Sequence, residues 1–373
     1  MSSLKKSKIC LFLPSLAMGG AERLSINLAN EWHEDGHEVE FVIIKNKTEV
    51  DLSSKVLNGI KISYLKQDRL FFSIPSIISH LRSSKPDISL VAMWPLTIIC
   101  TVAWLLSRKI GKLFLSEHTQ LSISMLHEFN THQFIVRTSI YLFYNLADGV
   151  IAVSKGVKED LCQLGSLSPK TVKVIYNPAS FKKYPKDIDD SDPFGLIWDN
   201  PGKKILAVGT LKKQKDFKTL VRAIHQVSYN KKISVVIVGE GPERKEIQKT
   251  IDKHGLSDRI HLVGFVIDPL KYFYYADLFV LSSAWEGFGN VIVEALESGT
   301  QVVSTNCKSG PAEILENGKF GTLVPIKDPK AMAQAIDESL INDYDQEPLI
   351  ERAKLFSVDR IAKEYINYFL IQR

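Results

Sequence analysis

Short apolar runs alternate with longer stretches of helical periodicity along almost the whole chain. In the first half the runs are Ile9–Leu13, Val39–Ile44, Ile60–Leu65, Ile88–Ala92, Lys112–Ser116, Val150–Val153 and Val172–Ile175. In the second half they are Ile205–Val208, Val235–Val238, Ile260–Leu262, Leu278–Leu281, Val302–Ser304 and Thr322–Val324. Apolar strands alternating with amphipathic helices predict parallel sheets wrapped by helices, an α/β protein. Between the halves, residues 177–203 are rich in Pro, Asp and Lys and lack periodicity, so they read as a linker. The last stretch, Val358–Leu370, reads as a helix with Ser357 at its N-cap and Ile361, Tyr365, Ile366 and Phe369 along one side. The expected organisation is an N-terminal Rossmann-like domain over 1–176, the linker 177–203, a second such domain over 204–357 and a closing helix over 358–373. Two doubly wound domains facing one another would bind ligand in the cleft, at the carboxyl ends of their strands.

Composition narrows the class. The 373 residues are 45% hydrophobic and 24% charged, ordinary values that exclude a disordered, collagen-like or disulfide-scaffold protein. Cys10, Cys100, Cys162 and Cys307 stand far apart with no C-x-x-C pair. That argues against a zinc ribbon or redox motif and suits a reducing cytosol. Met1–Lys8 is basic, but the apolar stretch after it ends at Pro14, so no secretory signal is read. Ile88–Ser107 is uncharged and long enough to span a bilayer. Pro95 divides it into a strand-like and a helix-like run, and a buried β-loop-α unit is the reading adopted. The net charge is +5, and all of the excess lies in the first half. Residues 1–176 carry 20 Lys+Arg against 15 Asp+Glu, whereas residues 177–373 carry 27 of each. No basic-aromatic module accompanies the charge, so nucleic acid is not expected. An anionic membrane surface or a phosphate-bearing substrate is.

Candidate chemistry sits at strand-to-helix turns. Gly19 and Gly20 follow the first strand, where glycine lets the backbone approach a ligand and a helix N-terminus favours an anion. Neither the dinucleotide G-x-G-x-x-G pattern nor a P-loop is present there. In the second half, Val208-Gly-Thr-Leu-Lys-Lys-Gln-Lys-Asp216 joins a strand to the helix Phe217–Val227. Lys212, Lys213 and Lys215 cannot all face a core, so at least one can reach a phosphate. Val238-Gly-Glu-Gly-Pro242 is a further turn that permits close approach. The strongest signal is Ser283-Ala-Trp-Glu-Gly-Phe-Gly-Asn-Val-Ile-Val-Glu294. A helix beginning near Asn290 would point the amides of Gly289, Asn290 and Val291 at a phosphate. Glu286 lies beside that anion site and Glu294 a turn below it. Carboxylates accept hydrogen bonds from vicinal hydroxyls, so sugar or ribose recognition is their natural use.

Glu286-x7-Glu294, with Gly287, Phe288, Gly289 and Asn290 between, resembles the E-x7-E signature of retaining, nucleotide-sugar-dependent glycosyltransferases of family 4. The resemblance extends to Gly19-Gly-Ala-Glu-Arg23, Ala147–Gly156, Val174-Ile-Tyr-Asn-Pro178, Val208–Asp216 and Ser309–Leu315, nearly the whole chain. It implies the two-lobed GT-B fold, with the C-terminal helix returning to the N-terminal lobe. It also implies roles. Gly19 and Gly20 would border the donor diphosphate and acceptor, and Lys215 would neutralise the diphosphate. Glu286 would contact the transferred sugar, Glu294 the nucleotide ribose, and His118, in Leu115-Ser-Glu-His-Thr119, would lie near the sugar. Gly287, Phe288, Gly289, Asn290 and Val291 would complete the donor site. Many members carry arginine where this chain has Thr210; its hydroxyl would bind the donor with one hydrogen bond but no charge, and Lys212 or Lys213 would compensate.

Negative charge grows on the leaving diphosphate during glycosyl transfer, and helix amides with Lys215 can stabilise it without a metal. Asp187-Ile-Asp189-Asp190 lies in the linker, away from any metal-binding context. The donor phosphate of such retaining enzymes helps deprotonate the acceptor, so no dedicated carboxylate base is expected. The resulting expectation is a UDP-sugar donor, no metal, and a glycan or lipid-linked acceptor. The enzyme would sit in the cytoplasm, peripherally on the inner face of an anionic membrane. A GDP-mannose-dependent enzyme is the alternative of the same fold. A non-catalytic sugar-nucleotide-binding protein and an NAD-dependent oxidoreductase are alternatives of other classes.

Overall fold

The computed structural model of the chain describes residues 6–17, 19–46, 51–126, 132–180, 195–198, 202–228, 233–266 and 269–371. The chain forms two units, Met1–Pro178 with Val358–Arg373, and Ala179–Ser357.

The first unit is built on seven parallel strands: β1 (Lys8–Leu13), β2 (Glu38–Ile43), β3 (Lys61–Tyr64), β4 (Ile88–Ala92), β5 (Lys112–Glu117), β6 (Gly149–Ala152) and β7 (Val172–Val174). Their order across the sheet is β3-β2-β1-β4-β5-β6-β7. Strands such as β1 and β4 are apolar nearly throughout because helices cover both faces of the sheet. On one face Ile9, Leu11 and Leu13 pack with Leu28, Ala29 and Trp32 of the helix Gly20–Glu34. The C-terminal helix Val358–Ile371 joins them, as the side-chain stripe predicts. Tyr365 and Phe369 lie edge-on to Trp32, each 5.9 Å away between ring centres. Trp32 Nε1 donates to the Ala362 carbonyl at 3.1 Å. Burying each such large side chain stabilises by about 1.5–3 kcal/mol, which fastens the last helix to the first sheet.

The second unit holds six parallel strands: β8 (Lys203–Val208), β9 (Ile233–Val238), β10 (Ile260–Gly264), β11 (Leu278–Leu281), β12 (Gln301–Thr305) and β13 (Thr322–Val324). Their order is β10-β9-β8-β11-β12-β13. Its core sets Ile205, Val235, Ile237 and Val280 against Leu220, Ile224, Ile247 and Ile336 of the flanking helices. Strand order reverses between β1 and β4 in the first sheet and between β8 and β11 in the second. Those reversals open crevices at the carboxyl ends of the strands.

Ile88–Ser107 forms β4 and the helix Leu96–Leu106, both largely buried. Among the described residues no helix is long and apolar enough to cross a membrane. Much of the expected linker, including Asp187, Asp189 and Asp190, lies outside the described residues. Within it, Gly195–Trp198 forms a helical turn, and Trp198 is buried with its ring 6.1 Å from that of Tyr272.

Candidate active site

In the second unit the segments after β8 and β11 meet. The turn after β8 is buttressed by the turn after β9. A Cβ at Gly239 would stand 2.0 Å from the Gly209 carbonyl oxygen, and one at Gly241 2.5 Å from that of Leu211. Only glycine permits this backbone-on-backbone contact, which is closed by Leu211 N–H to Glu240 at 2.9 Å and Glu243 N–H to Leu211 at 2.8 Å. The chain then makes a 3₁₀ turn at Lys213–Lys215 and enters the helix Phe217–Gln226.

That turn is stitched to the loop after β11. Ser282 Oγ donates to the Lys215 carbonyl at 2.7 Å, Gln214 Nε2 to the Trp285 carbonyl at 2.9 Å, and Ala284 N–H to the Gln214 carbonyl at 2.8 Å. The result is an ion pair at the strand ends: Lys215 Nζ lies 2.5 Å from Glu286 Oε1. Ser283 Oγ donates to the same oxygen at 2.6 Å. Glu286 is buried and Lys215 only partly exposed, so water screens the pair weakly. Burial, then the nearby Glu286 charge, push the Cys307 thiol up to about 12, which keeps it protonated.

Gly287, Phe288 and Gly289 are buried behind Glu286, and Asn290 and Val291 are half-buried. Gly289 adopts φ +99° as the N-cap of the helix Asn290–Glu297 and brings no side chain to cap it. The first-turn N–H groups of such a helix are the ones an anion takes. Glu294 is buried one turn further on. Ser309 Oγ holds the Gly287 carbonyl at 3.0 Å. Thr210 and Lys213 are exposed, and Lys212 is half-buried.

In the first unit, Gly19 is the N-cap of the helix that starts at Gly20. The Glu22 carboxylate folds back over Gly19, 2.1 Å from where a Cβ would sit, and burial pushes that carboxyl up. His118 follows β5. Its Nε2 lies 3.2 Å from Ser116 Oγ, while its buried Nδ1 has no hydrogen-bond partner among the described residues. Burial lowers the imidazole to about 4, so it is neutral at physiological pH and offers one donor and one acceptor. It lines a small cavity with Leu13, Ser116 and Tyr365.

The structure thus joins Lys215 and Glu286 directly in the second unit, beside residues 287–289 and the start of the Asn290–Glu297 helix, and sets His118, Gly19 and Gly20 in the first. Sequence reasoning missed Ser283 and Gln214, which hold the pair, and Glu117. Ser283 was findable as a hydroxyl three residues before Glu286. Glu117 is fully buried, receiving Trp94 N–H at 3.2 Å, Thr97 Oγ1 at 3.3 Å and the Tyr144 hydroxyl, and burial raises it to about 7.

Known proteins share this plan. The Glycosyltransferase Family 4 model matches residues 18–181, and the Glycosyl transferases group 1 model matches residues 189–356. An N-acetylgalactosamine-N,N'-diacetylbacillosaminyl-diphospho-undecaprenol 4-alpha-N-acetylgalactosaminyltransferase of Campylobacter jejuni is 29% identical, over 97% of this chain and 99% of its own. The lipopolysaccharide core biosynthesis glycosyltransferase LpsE of Rhizobium meliloti is 25% identical, over 95% of each chain. The crystal structure of Anabaena Alr3699/HepE in complex with UDP and glucose superposes with a TM-score of 0.79 at 20% identity, over 97% of this chain and 98% of that one. That last likeness is one of fold. Two parallel sheets that each reverse at a switch point, a lysine–glutamate pair at the second reversal and two family models in succession agree: the chain belongs to the group 1 glycosyltransferases, enzymes of the GT-B fold.

Proposed function

We propose that the enzyme moves a hexose or N-acetylhexosamine from a UDP-sugar to a lipid-linked or surface polysaccharide acceptor, with retention of configuration and without a divalent metal. The observation that carries this reading is the Lys215–Glu286 ion pair at the head of the Asn290–Glu297 helix. Lys215 keeps two further N–H donors for the diphosphate, and the helix amides add to them. Together they stabilise the charge that grows on the leaving group. The Glu286 oxygen opposite Lys215 and Ser283 accepts from the sugar hydroxyls, and Glu294 from the ribose. In the first unit, taken by itself, the proposed contacts are neutral His118 to a sugar hydroxyl and the Gly19–Gly20 turn to a phosphate or the acceptor. UDP in complex with HepE supports the choice of nucleotide, and the lipid diphosphate acceptor in the name of the C. jejuni relative supports the acceptor. The enzyme would work at the cytoplasmic face of a membrane, held peripherally.

Isothermal titration against UDP, GDP and NAD tests the nucleotide, followed by a donor screen with radiolabelled sugars on membrane extracts. UDP is expected to bind and NAD not. Binding of GDP alone would turn the reading to the GDP-mannose alternative, and binding without any transfer to a sugar-nucleotide-binding protein. Added magnesium or manganese is expected to leave the rate unchanged.

A further inference from the structure

Glycosyl transfer leaves unused a cluster in the first unit, buried at Cys10 and Glu40 and half-buried at His80 and Ser84, on the sheet face turned to the helix Ile74–Ser84. Cys10 of β1 and Glu40 of β2 are direct partners in the parallel register, so their side chains stand together on one face. His80 and Ser84 are four residues apart on the helix and therefore share the side that faces them. Cys10, His80 and Ser84 converge on a single oxygen of Glu40. Glu40 Oε2 lies 3.7 Å from Cys10 Sγ, 3.6 Å from His80 Nε2 and 3.0 Å from Ser84 Oγ. Ser84 Oγ is 3.8 Å from Cys10 Sγ. One ligand atom from each of Cys10, Glu40 and His80 lies within 4.8 Å of the other two.

Direct hydrogen bonding accounts for part of this arrangement, through Ser84 and a weak S–H···O bond from Cys10. His80 Nε2, at 3.6 Å from Oε2, is too far for a charge-assisted N–H···O bond of about 2.7–2.9 Å. His80 Nε2 is buried with no hydrogen-bond partner among the described residues. A tetrahedral zinc with bonds of about 2.0–2.3 Å separates its ligand atoms by about 3.3–3.8 Å, and the Cys10 and His80 distances to Oε2, 3.7 and 3.6 Å, fall in that range. Thiolate, imidazole and carboxylate together are a zinc donor set. Glu40 is also oriented for the task. Its Oε1 takes Ser63 Oγ at 2.7 Å and Lys61 Nζ at 3.0 Å, which turns Oε2 toward the other three groups. Outer partners of this kind fix the ligands of metal sites.

We propose that Cys10, Glu40 and His80 bind one zinc ion, with Ser84 or a water held by it at the fourth position. The ion ties β1 and β2 to the helix Ile74–Ser84 and takes no part in sugar transfer. On binding, the Cys10 thiol releases one proton to solvent and its sulfur becomes a thiolate ligand.

The test uses untagged full-length protein, stripped with a chelator and titrated anaerobically with cobalt(II). The expected result is a near-ultraviolet sulfur-to-cobalt charge-transfer band that saturates at one cobalt per chain and is abolished by zinc. Cys10→Ser should lose the band. Ser63→Ala should keep it, with affinity lower by about tenfold. Because a Cys10 variant could fail to fold, the wild type is also melted with and without zinc; a rise in Tm with zinc is expected. No band in the wild type, a full band in folded Cys10→Ser, or a melt indifferent to zinc would overturn the proposal.

Discussion

Lys215 gives one N–H to Glu286 Oε1 at 2.5 Å, and that contact makes Glu286, in the loop after β11, separable by experiment from Glu294, in the helix that follows. Glu286→Gln keeps the side-chain volume and removes the charge, leaving the ammonium to a phosphate. Binding of UDP alone should stay near wild type or tighten, while kcat falls roughly a hundredfold, the effect of losing about 2–4 kcal/mol of transition-state stabilisation. In the proposed reading Glu294 holds the ribose, which does not react, so Glu294→Gln should raise KM and largely spare kcat. Equal loss of UDP binding in both variants, read by titration calorimetry, would dissolve that division of labour. Adjacent residues in the first unit oppose each other in pH dependence. His118 titrates at about 4 in the folded chain against an ordinary value of 6.5, because burial penalises the imidazolium. The unfolded chain therefore binds more protons between those values, and this group makes stability rise with pH there. Glu117 is raised to about 7 from 4.5, so the folded chain holds the extra proton and stability falls over that window. His118→Asn removes the rising contribution alone. Urea unfolding at pH 4.5 and 6.5 should show the wild type gaining on the variant as pH rises, and a difference that does not change with pH would contradict a buried neutral imidazole.

The loop after β11 depends on a glycine that lies outside it. Gly310 has φ +88°, and a Cβ there would fall 1.8 Å from the Phe288 carbonyl oxygen. Gly318 has φ +103° but nothing within 4 Å of its Cβ position. Gly318→Ala should cost only left-handed strain, about 1–2 kcal/mol. Gly310→Ala adds a backbone collision and should cost more than that, weakening UDP binding as the 287–291 turn shifts. Urea unfolding with UDP titration checks both, and equal effects of the two variants would show that the contact with Phe288 does not matter. In the sequence only the pairing of Gly310 with Pro311 is visible, whereas its collision partner lies 22 residues earlier in the chain. The same distinction runs through the elements. The thirteen strands among the described residues were readable because the central ones are buried on both faces and written as local apolar runs, and the outer, partly exposed ones still carry short apolar stretches. Glu286 and Glu294 were readable because one turn and one helix carry both. The partners that join distant segments were not: Ser283 and Gln214 around the ion pair, Tyr144 on Glu117, and Cys10 with Glu40 and His80. The buried Trp198 lay within what composition described as linker. Each is set by tertiary packing, which local periodicity does not encode.

At the scale of the molecule, charge and exposed apolar surface concentrate in the first unit. The excess of basic over acidic residues lies wholly in residues 1–176. In that unit Phe71, Phe72, Leu106, Phe134, Tyr141 and Leu142 are exposed, Phe134 by 77%. The helix Leu96–Leu106 lies against both the Leu70–Ser73 turn and the helix Gln133–Phe143, so these side chains belong to neighbouring elements. Arg69, Arg108, Lys109 and Arg137 stand beside them in sequence. Near an anionic lipid surface each basic residue contributes about 1 kcal/mol, and apolar area removed from water adds about 25 cal/mol per Å². The two contributions respond differently to salt, because charges are screened beyond a Debye length of about 10 Å at 0.1 M whereas apolar burial is not. Sedimentation with vesicles should therefore show reversible binding to anionic lipid that weakens as salt rises. Arg137→Gln together with Lys109→Gln should flatten that salt dependence. Phe134→Ser together with Tyr141→Ser should instead lower binding at every salt concentration and leave the slope in place. Equal binding to neutral and anionic vesicles at all salt concentrations would exclude the electrostatic part, and unchanged binding by the Phe134–Tyr141 variant would exclude the apolar face.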